Sequence, residues 1–95
     1  MVWLAWPSLG WLPLFAGMPS VAVTLNALAN VYRDEGRYAE AEPMYRRALS
    51  IRESALESQD PSIRETLSDL AKMLRRANRT TEAERLEARI QQIKP

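Results

Sequence analysis

The chain of 95 residues repeats itself with a period of 42 residues. When residues 19–53 are aligned with residues 61–95, 13 of the 35 pairs are identical. The identities extend along the whole unit, from the pair Pro19 and Pro61 to the pair Ile51 and Ile93. Self-similarity at a spacing of this length is typical of arrays in which one supersecondary unit stacks on the next. The chain is therefore expected to contain two copies of one small unit.

Each unit is predicted to be a pair of α-helices, which makes the chain all-α. Apolar residues recur at intervals of three and four along the first helix of each unit, as expected for one face of an α-helix. These stripes are Val21, Leu25, Leu28 and Tyr32 in the first unit, and Ile63, Leu67, Leu70 and Leu74 in the second. The predicted helices span residues 20–35, 39–57, 62–77 and 81–93.

Turn and cap residues support these helix bounds. Gly36 and Asn78 occupy equivalent positions between the helices of each unit, and both tolerate a positive φ. Asp60 before Pro61 predicts a helix start with Asp60 as the N-cap. Thr81 and Glu84 fit a capping box at the start of the last helix.

The first 18 residues differ sharply from the rest of the chain. All 25 charged residues lie in 33–94, whereas residues 1–18 are uncharged and contain all three tryptophans. We divide the chain into an apolar leader at 1–18, a first unit at 19–60 and a second unit at 61–95. The leader lacks basic flanks, and Pro7, Gly10 and Pro13 interrupt it, so a secretory signal or membrane anchor is the less favoured interpretation. The alternatives are a poorly ordered tail, a translation start set in unusual sequence, and an apolar lid over an exposed helical face.

The segment LNALANVYRDEGRYAEAEPMYRRALSIRESAL, residues 25–56, resembles a tetratricopeptide repeat of the kinesin-light-chain type. The positions that match the family pattern are Leu28, Ala29, Tyr32, Gly36, Tyr38, Ala41, Tyr45 and Ala48. The second unit matches at Leu70, Ala71, Leu74 and Ala83, but Glu87 stands where the first unit has Tyr45. The resemblance implies an α-solenoid segment of two helix-turn-helix hairpins. The second hairpin is then a degenerate C-terminal cap, and the chain is the C-terminal end or a fragment of a longer array.

The resemblance also implies a function. In this family, the first helices of the repeats line a concave groove that holds an extended peptide, so the expected role is a non-catalytic protein-binding module or scaffold. Carried over by position, the groove residues are Asn26, Asn30, Arg33, Ser68, Lys72, Arg75 and Arg76. Asparagine can grip a peptide backbone by donating and accepting hydrogen bonds, and the basic side chains favour an acidic partner. Self-association is expected where the apolar faces of the repeats are not covered.

Composition excludes several other classes of function. The chain has no cysteine and no histidine, which removes the commonest metal ligands and the commonest general base. No phosphate-binding loop or acid–base pair occurs, so we expect no enzyme, no cofactor and no metal. The net charge of +1 gives no general attraction to nucleic acid or anionic membranes. The expected partner is therefore a protein. The expected location is the cytoplasm.

Two alternatives to protein binding remain open at this point. The basic stretch 72–79 is typical of a nucleic-acid accessory binder, although such binding also needs aromatic stacking platforms, and the tyrosines are expected to be used in packing. The leader, residues 1–18, allows a membrane-anchored repeat protein.

Overall fold

A computed structural model describes residues 18–55 and 60–93. These residues form four α-helices and, within the described ranges, no strand. The helices are α1 (Pro19–Asp34), α2 (Tyr38–Ala55), α3 (Pro61–Arg76) and α4 (Thr80–Gln92). The prediction of two helical hairpins is confirmed. The helix bounds agree to within one residue, except at the end of α2, where residues 56 and 57 lie outside the described residues.

The same backbone turn closes both hairpins. Gly36 has a φ of 78° and Asn78 a φ of 64°, so both occupy the left-handed region, as predicted. The N–H of Arg37 donates to the carbonyl of Tyr32 at 2.8 Å, and the N–H of Arg79 donates to the carbonyl of Leu74 at 2.8 Å. These bonds satisfy carbonyls that the end of each first helix would otherwise leave unpaired.

One of the two predicted helix caps is confirmed and the other is wrong. The Asp60 carboxylate accepts from the backbone N–H of Ser62 at 2.8 Å, with Pro61 in the first turn of α3. The capping box at Thr81 does not form, because α4 begins one residue earlier, at Thr80, and Arg79 occupies the cap position without a side-chain cap bond. The backbone N–H of Ala83 donates to the carbonyl of Arg79 at 3.1 Å, as expected when Arg79 is the N-cap.

Packing joins α1 to α2, α3 to α4, and the two hairpins to each other through α2 and α3. Alanines lie where the helices approach closely, and one tyrosine and several long apolar side chains fill the remaining space. The buried members of this main cluster are Ala29, Ala41, Tyr45, Leu70, Ala71, Met73, Leu74 and Ala83. The core therefore includes residues from both units, as expected for repeats that cannot bury their faces alone.

The apolar stripe of α1 lies beside the contact with α2 and not within it. Leu28 is 40% exposed, and Val21, Leu25 and Tyr32 are only half-buried. The buried residues of α1 are Ala22, Asn26 and Ala29. The hairpin closes on small side chains, which lets α2 approach closely and leaves the larger apolar residues beside the contact. In α3, by contrast, all four residues of the predicted stripe are fully buried.

The leader falls almost entirely outside the described residues, of which it contributes Met18 alone. The tail, lid and anchor interpretations all concern residues 1–17 and lie outside them too. In the described part of the chain, no helix combines the length and apolar character needed to cross a bilayer.

Candidate functional site

The seven residues predicted to line a groove all lie on α1 and α3, the first helices of the two hairpins. These helices meet along a polar contact centred on Asp69, a residue that the sequence analysis did not single out. We call Asn26, Asn30, Arg33 and Asp69 together the Asp69 seam.

The Asp69 carboxylate lies near three side chains of α1 and accepts hydrogen bonds from two of them. One oxygen accepts from the Asn26 amide at 2.8 Å and from the Asn30 amide at 3.4 Å. The other oxygen lies 3.7 Å from the nearer Arg33 guanidinium nitrogen. Asn26 is 3% exposed, and the side chains of Arg33 and Asp69 are 11% and 16% exposed. Charge-assisted hydrogen bonds are strong where water is largely excluded, so the seam fixes α3 against α1.

Asn30 links the seam to the second helix of the first hairpin. Its amide oxygen accepts from the Tyr45 hydroxyl at 2.5 Å, while its amide nitrogen donates to Asp69. Burial raises the pKa of Tyr45 to about 12, so the hydroxyl keeps its proton and remains a donor. A hydrogen-bonded path thus runs from α2 through α1 to α3.

Two of the predicted groove arginines are paired with carboxylates at the surface. Arg76 donates to Asp34 at 2.9 Å, which joins the ends of α3 and α1. Arg75 donates to both oxygens of Glu87 on α4, at 2.6 and 2.5 Å. Hydrogen bonds from Arg76 and then Arg33 hold the pKa of Asp34 below its usual value, and the bond from Arg75 lowers the pKa of Glu87. The exposed end of α3 is therefore nearly balanced in charge.

Lys72 differs from these arginines. It is exposed, and no carboxylate of the described residues lies within 4.0 Å of its ammonium nitrogen. Ser68 precedes it by four residues and Arg76 follows it by four, so the three share one face of α3. Of the seven residues, Asn26 is enclosed, Asn30 and Arg33 are held in the seam, Ser68 is half-buried, and Lys72, Arg75 and Arg76 are exposed.

The match between the two units does not identify Asp69, because its counterpart in the first unit is Ala27. The available signal was the difference between the two copies, because a carboxylate replaces an alanine at this position of the repeated helix. The carboxylate faces three donors on α1 at spacings of four and three, and this pattern becomes informative only when the two helices are known to touch.

Arg52 is a second residue that sequence reasoning did not identify. It is 4% exposed, and its guanidinium donates to the Ser62 carbonyl at 2.8 Å and to the Thr66 hydroxyl at 2.7 Å. Arg52 therefore holds the last turns of α2 against the first turn of α3. Its counterpart in the second unit is Lys94, so a cation at both positions was the available signal.

Glu42 connects the two hairpins on the side of the second helices. Its carboxylate accepts from Arg79 at 2.5 and 3.0 Å and from Arg46 at 2.8 Å. Arg79 also pairs with Glu82 at 2.8 Å. The hydrogen bond from Arg79 holds the pKa of Glu42 below its usual value, with a further contribution from Arg46.

The Glu42 contacts predict acid sensitivity. A carboxyl whose pKa is lowered in the folded state stabilises the fold fully above its unfolded pKa, and this contribution is lost as pH falls through the lowered value. We expect the thermal midpoint to fall on acidification below about pH 5, and less steeply in Glu42→Gln. Glu84→Gln is the matched control, because Glu84 is exposed and has no ion pair among the described residues. Equal pH profiles for the two variants would contradict the assignment of this contribution to Glu42.

Comparison with known proteins identifies a family. A family model described as tetratricopeptide repeat matches residues 20–95, which include all four helices apart from Pro19, the first residue of α1. No curated protein matches the sequence significantly.

Proposed function

The chain belongs to the tetratricopeptide repeat family, and we propose that it is a non-catalytic module that holds an extended peptide against α1 and α3. Repeats of this family generally mediate protein–protein interaction. The observation that carries the proposal is the Asp69 seam, which holds the two first helices in one fixed arrangement. A surface preorganised in this way loses little conformational freedom when a peptide binds.

The proposed binding surface has a rigid floor and a charged edge. Asn30 and Arg33 form the floor, where their side chains are already oriented by Asp69. The edge is formed by Lys72, Arg75 and Arg76, which follow one another along α3 at the spacing of a helical face. A peptide lying along these residues meets hydrogen-bond donors on both the floor and the edge.

An acidic peptide is the proposed partner. Lys72 is exposed and has no carboxylate partner among the described residues. Arg75 and Arg76 are also exposed, but they are paired with Glu87 and Asp34. Exposed ion pairs contribute little to stability, so a peptide carboxylate can replace either internal partner at small cost. The same pairs dilute the positive field, so the preference for acidic peptides is moderate. With two hairpins the surface is short, and we expect a dissociation constant on the order of micromolar or weaker.

The repeat period supports assignment to the kinesin-light-chain type. The 42-residue spacing and the segment EAEPMYRRAL, residues 40–49, both fit that type. The second hairpin would then close the α4 side of the repeats, because Glu87 replaces the buried Tyr45 and is bound to Arg75.

Nucleic-acid binding through residues 72–79 is the less favoured alternative. Arg75, Arg76 and Arg79 are each paired with a carboxylate. Tyr45 is fully buried, and Tyr32 and Tyr38 pack against the main core. The described part of the chain thus offers neither a broad unpaired basic stripe nor exposed stacking platforms.

Charge reversal on α3 tests the proposal. The double variant Lys72→Glu, Arg76→Glu should lose most of its affinity for acidic peptides, because repulsion replaces attraction at both positions. Binding is measured on an array of extended peptides with acidic, neutral and basic side chains, and circular dichroism checks that helix content is unchanged.

A matched control separates a specific surface from general electrostatics. Arg47→Glu, Arg85→Glu makes the same change in net charge at exposed positions of α2 and α4. We expect this variant to retain binding to acidic peptides. If both double variants lose affinity equally, the attraction depends on net charge alone. If the α3 variant binds as well as the unchanged protein, the partner surface lies elsewhere.

A further inference from the structure

The first helices of the two units, α1 and α3, can be compared residue by residue. The face of α3 that packs on α2 is covered, whereas the equivalent face of α1 is exposed. Thr66, Leu70 and Met73 of α3 are completely buried in the core shared by the two hairpins. Their counterparts in α1, 42 residues earlier, are Thr24, Leu28 and Val31, and all three are exposed. Leu28 is 40% exposed and Val31 is 51% exposed.

The same relation holds for the larger residues beside them. Ile63, Leu67 and Leu74 are fully buried, whereas their counterparts on α1 are only half-buried. The α1 outer face is defined by six residues: Val21, Thr24, Leu25, Leu28, Val31 and Tyr32. This face repeats the chemistry of the interface between the hairpins, but no element of the described chain covers it as α2 covers α3.

The cover that α3 receives shows what such a face requires. Tyr45 packs with Leu70, Met73 and Leu74, and Leu49 packs with Ile63 and Leu67. The covering surface is thus apolar around an aromatic ring, and the charge of Arg52 beside it is paired by hydrogen bonds to Thr66 and to the Ser62 carbonyl. An occupant of the α1 outer face needs the same properties, because burying an unpaired charge there would be costly.

The opposite end of a second copy does not meet this requirement. In α4, Glu87 stands in place of Tyr45 and Gln91 in place of Leu49. Glu87 is already bound to Arg75 through two hydrogen bonds. Head-to-tail stacking of two copies would therefore bury a carboxylate and an amide against apolar side chains. The repeat geometry does not favour that arrangement.

We propose that residues 1–17 dock on the α1 outer face and cover it with their indole and phenyl rings. These residues carry no charge and include Trp3, Trp6, Trp11 and Phe15. They continue directly from Met18, which is half-exposed at the start of α1. Direct linkage gives the segment an effective concentration on the order of millimolar relative to a face of its own chain.

The segment is long enough to reach the whole face. A helix of 16 residues, such as α1, is about 24 Å long. Seventeen extended residues span up to about 55 Å, so the segment can follow α1 from its first turn to Tyr32. Because Pro7, Gly10 and Pro13 interrupt the sequence, a single helix like α2 is not expected. The contact depends on the aromatic side chains.

Tryptophan fluorescence of the full chain tests this docking directly, because all three tryptophans lie in residues 1–17. In the unchanged protein we expect blue-shifted emission and weak quenching by acrylamide. Leu28→Glu and Val31→Glu place a charge on the α1 outer face at exposed positions, so the hairpins should stay folded. Each change should shift the emission to that of exposed indole and raise the quenching constant several-fold.

Val23→Glu is the matched control on the same helix. Val23 is 56% exposed, but its counterpart is the exposed Glu65, so it lies outside the face that repeats the interface. This variant should leave the emission unchanged. If all three variants behave alike, or if the unchanged protein already shows exposed indole, docking on this face is wrong.

Two further results would overturn the proposal in favour of another occupant. Burial of the tryptophans that depends on protein concentration, with a dimer in sedimentation, would assign the face to a second copy. Tryptophans that are exposed in buffer but blue-shifted by phosphatidylcholine vesicles would assign the segment to a membrane. Concentration-independent burial that Leu28→Glu removes would support the proposal.

Discussion

Replacing Tyr45 with alanine is expected to remove most of the free energy of unfolding. Tyr45 is completely buried and packs in the cluster that both hairpins share. Truncation of a buried aromatic side chain typically costs about 3–5 kcal/mol. Small domains have a free energy of unfolding of only about 5–15 kcal/mol, and a two-hairpin protein is expected near the lower end. Urea denaturation followed by circular dichroism measures the loss.

Tyr45→Phe separates the ring from the hydroxyl. Phenylalanine keeps the packing but cannot donate to Asn30, so the expected loss is about 0.5–1.5 kcal/mol. If phenylalanine is as damaging as alanine, the hydrogen bond to Asn30 rather than ring packing holds the hairpins together. If neither change lowers stability, Tyr45 does not join the two units.

The helices were predictable because their ends carry strong local signals. Asp60 with Pro61 starts α3, and the positive φ at Gly36 and Asn78 closes each hairpin. These signals depend on a few neighbouring residues, which a sequence displays directly. The same is true of the period of 42, which predicted that the second unit copies the first.

The orientation of α1 was not predictable in the same way. The stripe of large apolar side chains, which includes Leu28, does not identify the side of α1 that faces α2. In the structure, Ala22 and Ala29 are inside, and Leu28 is 40% exposed. Alanine carries a weak hydrophobic signal, although it allows the closest approach of two helices. The described residues leave one side of α1 uncovered, and the sequence of a helix does not show by itself which of its sides a neighbour covers.

The candidate site, like the fold, was predictable only in part. The resemblance to a known repeat placed the seven residues on α1 and α3, where the structure also has them. The role of Asp69 depends on the rotation and offset between helices that lie some 40 residues apart in sequence. The residues next to Asp69 in the sequence do not indicate such a contact. Peptide binding by the seven residues remains a prediction.

Replacing Asp69 with alanine is expected to loosen α3 from α1 and to weaken peptide binding with it. The change removes the acceptor for Asn26, which is 3% exposed, and a carboxylate 3.7 Å from the Arg33 guanidinium. Leaving a buried donor without a partner costs about 1–3 kcal/mol, and more for a charged group. We expect a loss on the order of 2–4 kcal/mol in urea denaturation.

Asp34→Ala is the matched control for Asp69→Ala. Asp34 also joins α1 to α3, through Arg76, but both side chains are at least half-exposed. Exposed pairs of this kind contribute little, so this variant should unfold almost as the unchanged protein does. Asp69→Asn should lie between the two, because it keeps an oxygen for Asn26 while it removes the charge that Arg33 faces. If Asp34→Ala and Asp69→Ala destabilise the protein equally, burial does not give Asp69 a special role. The arrangement of α1 and α3 would then depend on the apolar core between α2 and α3.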